Sequence, residues 1–295
     1  MSIVHQFDYF KPKSITEAID FLSKNNKAAV LAGGTDLVNN IREEIDSPDV
    51  VVDIKGLDEL NKLTFTDNVL SIGALVSFTD LIESEIILDH FPLIMEISKT
   101  VGSVGIRNRA TLVGNICSSV PCMDSGPLLR VYDGEITTIV QSGERKIPAE
   151  DWFVAPKESA IKPGELVTSV SISLPSEKHA GCFVKLGRYS GEDLAQVSVA
   201  ILVFENNSYR ISFGSVAPVP VRAKRMEELL NGNKLNDSLI EKAKALIHEE
   251  IKPITDIRAS KEYRMHMAKV MFERGIKAAA QRLNGNGPEY GTSLI

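Results

Sequence analysis

Two adjacent glycines, Gly33 and Gly34, end a short apolar run, and they constrain the fold more than any other feature of the chain. Ala28 to Leu31 reads as a buried strand, and an amphipathic helical pattern begins at Asp36 or Leu37. A strand, a glycine turn and a helix start leave backbone N–H groups free to face an anion. Glycine suits such a turn because a side chain would hold the backbone away from a phosphate oxygen. Thr35 and Asp36 are favoured cap residues, and Thr35 adds a hydroxyl donor. A second glycine-bearing stretch, Ala110-Thr111-Leu112-Val113-Gly114-Asn115, lies far downstream. Two such turns meeting in space would hold the two phosphates of a dinucleotide from opposite sides. Taken alone, Gly33-Gly34 is also what an ordinary strand-to-helix turn looks like.

The chain is long enough, at 295 residues, for one large or two ordinary domains. Its hydrophobic fraction of 43% and charged fraction of 24% are those of a soluble globular protein. A net charge of −6 offers no general attraction to nucleic acid or to an anionic membrane. Residues 1–10 lack a signal-peptide layout, and no apolar run is long enough to span a bilayer. The three cysteines, Cys117, Cys122 and Cys182, are too few for a disulfide scaffold or a metal cluster, so a reducing, cytoplasmic setting is expected. The five histidines are scattered, and neither the G-x-G-x-x-G nor the P-loop pattern occurs.

Three blocks follow along the chain. The first, from Phe7 to about Ile54, reads as a β-α-β-α-β unit, with Ser14-Ile15-Thr16-Glu17 in capping-box form. The second, from about Leu60 to Leu174, opens with a hairpin turning at Asp67-Asn68 and continues with helices over Thr79–Ser84 and Leu93–Thr100. Residues 101–125, rich in Gly, Ser, Asn and Pro, read as a long irregular loop of the kind that carries function. Strands near Glu135–Val140 and Val167–Ser173 close the block. After a break at Pro175-Ser176, strands at Cys182–Leu186, Gln196–Phe204 and Tyr209–Val216 precede helices at Arg222–Leu230, Ser238–Glu249 and Lys261–Leu283. Strands and helices mixed without strict alternation predict an α+β protein. The predicted division is a first domain of residues 1–176 (subdomains about 1–56 and 57–176), a second of 177–285, and a mobile tail of 286–295.

Several of these fragments occur together in an order that resembles the FAD-binding subunit of the molybdenum hydroxylases, the xanthine dehydrogenase family. They are Ala32-Gly33-Gly34-Thr35-Asp36, Ile106-Arg107-Asn108, Thr111-Leu112-Val113-Gly114-Asn115, Phe183-Val184-Lys185, Ala217-Pro218-Val219-Pro220-Val221-Arg222 and Arg258-Ala259-Ser260-Lys261-Glu262-Tyr263-Arg264. The resemblance runs from Phe7 to Leu283. It implies a two-subdomain FAD domain of the vanillyl-alcohol-oxidase (PCMH) type, followed by a small antiparallel sheet with a helical bundle. It further implies non-covalent FAD, with the pyrophosphate between Val30-Leu31-Ala32-Gly33-Gly34-Thr35-Asp36-Leu37 and Ala110 to Asn115, and with Val101 beside it. Asp124 resembles the family carboxylate near the ribose or ribityl hydroxyls. Leu166 resembles the residue whose backbone reaches the flavin ring edge, and Lys185 the cation at the pyrimidine end of that ring. Val113 departs from the family, which carries two adjacent glycines before Asn. A valine there either turns its side chain away from a phosphate or holds the loop slightly further off.

Bland readings stand beside these. Asn115 would serve as a loop tie, Asp124 as a turn residue and Lys185 as a solvated side chain. Arg107 would neutralise a phosphate or form an internal ion pair.

The function implied by the resemblance is electron transfer. The family places the molybdenum cofactor and two [2Fe–2S] clusters on a molybdopterin subunit and an iron–sulfur subunit. Three cysteines cannot hold two such clusters, so they are expected on those partner chains. Electrons would pass from the clusters to FAD and on to NAD⁺ or another acceptor, with no catalytic acid, base or metal supplied by this chain. The substrate would belong to the molybdenum subunit, with a xanthine-like purine as first expectation. Two alternatives remain at this level: a freestanding flavin oxidase or dehydrogenase, and a binding subunit that has lost its flavin.

Overall fold

The structure is a computed structural model that describes residue 3, residues 5–189 and residues 193–295. The first block folds as β1 (Asp8–Phe10), α1 (Ile15–Leu22), β2 (Ala28–Leu31), α2 (Leu37–Arg42) and β3 (Val50–Asp53). Its three strands form a parallel sheet in the order β1-β3-β2, which places the glycine turn at the carboxyl end of an edge strand. That end of a parallel sheet is where α/β units commonly seat ligands. Ser14 caps α1 by accepting from Glu17 N–H at 3.1 Å, while the Glu17 carboxylate takes Lys13 N–H rather than that of Ser14.

The second block begins with β4 (Leu63–Thr66) and β5 (Val69–Gly73), joined at Asp67 and Asn68, both with positive φ as a tight hairpin requires. Helices α3 (Phe78–Glu83), α4 (Glu85–His90), α5 (Pro92–Lys99), α6 (Val104–Arg107), α7 (Leu112–Ser118) and α8 (Ser125–Tyr132) follow. Next come β6 (Glu135–Val140), β7 (Gly143–Pro148), α9 (Ala149–Trp152), β8 (Phe153–Ala155), β9 (Glu158–Ser159) and β10 (Leu166–Ser173). An antiparallel sheet in the order β4-β5-β10-β6-β7 backs the helices. Residues 101–125 are therefore not the irregular loop expected. Ser103 and Thr111 each cap a short helix, accepting from Ile106 N–H and Gly114 N–H respectively. Local caps supply the order that composition conceals.

The third block is β11 (His179–Leu186), β12 (Val197–Phe204), β13 (Tyr209–Gly214), β14 (Val221–Arg222), α10 (Lys224–Leu230), α11 (Asp237–Glu250) and α12 (Lys261–Leu283). Its antiparallel sheet is a wall between two cores, and period-two alternation divides the side chains between them. Phe183, Ala200, Leu202 and Phe204 join the core of the first two blocks. Cys182, Val184, Val199, Ile201 and Val203 join the core under α11 and α12. By the same alternation Lys185, two residues beyond Phe183, faces the first two blocks. That register fixes the direction of the lysine singled out from the sequence.

The tail, expected to be mobile, is instead bonded into the body. Gly181 N–H donates to Tyr290 Oη at 3.1 Å, Gly291 N–H donates to Glu96 at 2.8 Å, and Arg274 donates to Leu294 O at 2.6 Å. A half-buried aromatic ring and two buried charges outweigh the glycine-rich composition. No helix among the described residues is long and apolar enough to cross a membrane.

Candidate functional site

The two glycine loops touch. A Cβ built on Gly33 would lie 2.0 Å from Arg109 O and 3.0 Å from Ala110 Cα, so only a glycine permits this approach. Gly34 has a φ of +78°, a conformation that side chains disfavour. The second loop is held by Phe78 N–H donating to Ala110 O at 3.0 Å and by a bridge pairing Ser77 with Thr111. The backbone N–H groups of Gly33, Gly34, Thr35, Asp36 and Leu37 donate to no protein acceptor among the described residues. Asp36 makes no side-chain cap bond, so the Leu37 N–H that opens α2 stays free, while Val38 N–H already donates to Gly34 O at 3.0 Å.

A cleft of about 530 Å³ lies along these loops, within the ~300–1,000 Å³ range of small-molecule sites. Val30, Ala32 to Leu37, Val101, Ala110, Thr111, Gly114, Asn115, Asp124 and Lys185 all line it. A second lobe of about 470 Å³ shares Val30, Ala32, Gly114 and Cys117 with the first and runs beneath Leu166 and Val113. Its wall is mainly apolar, with Leu22, Ala28, Ile54 and Ala74, and it lies where β10 carries a bulge between Val167 and Ser169. Leu31 and Leu112 line neither lobe. Leu31 packs behind the Gly34 turn, and Leu112 is wholly buried as the first residue of α7. Val113 is buried in the core and reaches only the apolar lobe, leaving the Gly33–Gly114 face clear.

At the far end of the first lobe Lys185 Nζ donates to Asp124 Oδ2 at 2.6 Å and to Thr100 O at 2.8 Å. Both side chains are almost completely buried, which excludes a solvated lysine and a simple turn aspartate. Burial pushes the Asp124 carboxyl up, and the Lys185 ammonium opposes that shift. Asp124 Oδ1 is buried without a hydrogen-bond partner among the described residues, so the pair has a spare acceptor at the cleft wall. An unpaired buried carboxylate oxygen is costly unless a ligand or water completes it.

Asn115 ties α7 to α8 by accepting from Ser125 Oγ and, at 3.4 Å, from Ser125 N–H, while also lining the cleft. Arg107 lines neither lobe and forms no ion pair among the described residues. Its Nη1 caps the carbonyls of Val101 and Gly102 at 3.0 and 2.7 Å, shaping the segment beside the second loop. Sequence reasoning missed Ile106, Ser118, Cys122, Met123, Asp193 and Leu194 as lining residues. Ile106 belongs to the Ile106-Arg107-Asn108 fragment, and the others carry no motif. They reach the cleft because α6, α7 and the segments that follow α7 and β11 converge there. The three cysteines are free, and burial pushes the Cys117 and Cys182 thiols up to about 12.

Residues 5–175 match the family described as the FAD binding domain in molybdopterin dehydrogenase. Residues 182–279 match the CO dehydrogenase flavoprotein C-terminal domain. The chain is 31% identical over 278 residues to the glyceraldehyde dehydrogenase medium chain of Sulfolobus acidocaldarius, covering 93% of this chain and 99% of that one. It is 28% identical over 283 residues to a xanthine dehydrogenase FAD-binding subunit of Escherichia coli, covering 94% and 97%. Among solved structures, a chain of the reconstituted CO dehydrogenase from Oligotropha carboxidovorans superposes with a TM-score of 0.92 at 30% identity, covering 95% and 100%.

Proposed function

The chain belongs to the family of FAD-binding medium subunits of the molybdenum hydroxylases, and from that premise we propose that it holds one FAD as the redox link between an iron–sulfur subunit and a terminal acceptor. One observation carries the reading. Five backbone N–H groups at Gly33 to Leu37, unpaired among the described residues, sit in a cleft that is also lined by residues of the 110–115 loop and by a buried cation paired with a half-satisfied carboxylate. Anion, polyol and electron-rich ring find complementary chemistry in that order.

The two-lobed cleft also supports an orientation. A pyrophosphate at the wall shared by both lobes sends one half of the dinucleotide into each. The mainly apolar lobe under Leu166, Ile54 and Ala74 suits adenine. The polar lobe with Asp124 and Lys185 suits the ribityl chain and the flavin. Leu166 would then serve the adenine end, not the ring edge that the family resemblance suggested. FAD, when bound, accepts and releases electrons singly or in pairs. Asp124 Oδ1 would accept a ribityl hydroxyl. Lys185, anchored by Asp124 and Thr100 O, would hold a fixed positive charge where negative charge gathers on the ring.

The chain's own residues bind, orient and bias the cofactor, and the clusters and molybdenum cofactor would sit on partner chains. Relatives acting on glyceraldehyde, xanthine and CO share this subunit, which supports assigning substrate choice to the molybdenum subunit. NAD⁺ is the acceptor we favour, and free thiols fit a cytoplasmic setting. Reconstitution tests the reading. The purified chain should take up one equivalent of FAD and oxidise NADH with an artificial acceptor. A chain that stays colourless after FAD is added, or that turns over a small-molecule substrate without partners, overturns it.

A further inference from the structure

Strand β11 carries Lys185, and its exposed edge is closed by the C-terminal tail. β11 lies at the edge of its sheet, so one row of its backbone groups has no strand partner. Gly181 N–H donates to Tyr290 Oη at 3.1 Å, Gly181 O accepts from Arg282 Nη1 at 2.8 Å, and Phe183 N–H donates to Glu96 Oε1 at 2.6 Å. These groups belong to one knot. Glu96 on α5 pairs bidentately with Arg282 on α12 at 3.0 and 2.7 Å. The tail completes it: Pro288 O and Glu289 O accept from Arg282 at 2.9 and 3.0 Å, Gly291 N–H donates to Glu96 at 2.8 Å, and the Tyr290 ring lies 4.0 Å from the guanidinium. All five guanidinium N–H groups are used, and both charges are almost fully buried.

We propose that residues 286–295 form a clasp that holds β11 in register against α5 and so positions Lys185 at the flavin lobe. α5 bears Glu96 and leads directly into Thr100, whose carbonyl accepts from Lys185, so the knot and the cation share both supports. An extended strand transmits position over two residues with little slack, because each residue adds about 3.3 Å of stiff backbone. The inference rests on the reading of Lys185 as the cation at the flavin.

Spectroelectrochemistry of the FAD-loaded full-length protein tests it, beside variants Lys185→Met, Tyr290→Ala and a chain stopped after Gly287. Lys185→Met should make the flavin harder to reduce, shifting its potential to more negative values. Tyr290→Ala and the shortened chain should shift it the same way by a smaller amount, and adding either to Lys185→Met should give no further shift. Hydrogen exchange of the cofactor-free protein should show faster exchange at the Gly181 and Phe183 amides in both tail variants. A shift in Lys185→Met with none in the tail variants overturns the clasp alone, as would shifts that add in full. No shift in Lys185→Met overturns the cation reading and the clasp together.

Discussion

Gly33 illustrates how one atom decides a site. Its missing Cβ leaves room for Arg109 O, and the two glycine loops meet because of it. Gly33→Val should force those loops apart and abolish retention of FAD, read as loss of flavin absorbance after gel filtration. The thiols give a second test. Burial holds Cys117 and Cys182 protonated, and a thiol is a poor nucleophile until ionised. Cys182, which is also wholly buried, should resist iodoacetamide in the folded protein at mildly alkaline pH and react after denaturation, as peptide mass mapping would record. The turn at Gly33-Gly34 was visible in the sequence because glycine after an apolar strand is a local signal. The spare oxygen of Asp124 was not, since its burial depends on Lys185, which is 61 residues away in the chain.

At the scale of elements, α7 carries the second loop, and its start depends on Thr111. The hydroxyl accepts from Gly114 N–H at 2.9 Å, and Trp152 Nε1 donates to Ile116 O at 3.0 Å further along the helix. Thr111→Ala removes the cap and should cost about 1 kcal/mol, measured as a lower urea midpoint at constant slope. The helix α12, the hairpin at Asp67-Asn68 and three of the four strands of the third block's sheet were legible from periodicity and turn chemistry. The helices within residues 104–118 were not, because Gly, Ser and Asn weaken a helical pattern even where they cap one. Arg107 shows the same limit, for its carbonyl partners become neighbours only after α6 has formed.

For the whole molecule, acid stability should be governed by carboxylates of the third block. Hydrogen bonds from Lys244 and Lys277 hold Glu273 well below its ordinary value of 4.5, at about 2. Burial raises the Asp256 carboxyl, yet hydrogen bonds from Arg258, Arg264 and the Ala259 N–H outweigh it and hold the group low. A depressed carboxylate contributes stability that is complete above its unfolded value and lost as pH falls toward its folded value. Glu273→Gln should therefore be less stable than the parent at neutral pH, and the difference should shrink from pH 4.5 downward and vanish near 2. Chemical unfolding across that range measures it. An undiminished difference at the acid end would contradict the assignment.

The sequence by itself determined the strand–turn–helix units, the α+β character and the family, because those reside in local spacing and in an ordered set of short motifs. Only the tertiary structure decided which lobe each lining residue serves, that Lys185 is buried against Asp124, and that the tail is anchored through a pair 186 residues apart in sequence, Glu96 and Arg282. The reason is physical. Backbone preference acts over a few residues, whereas burial and charge pairing arise only where distant segments exclude water together.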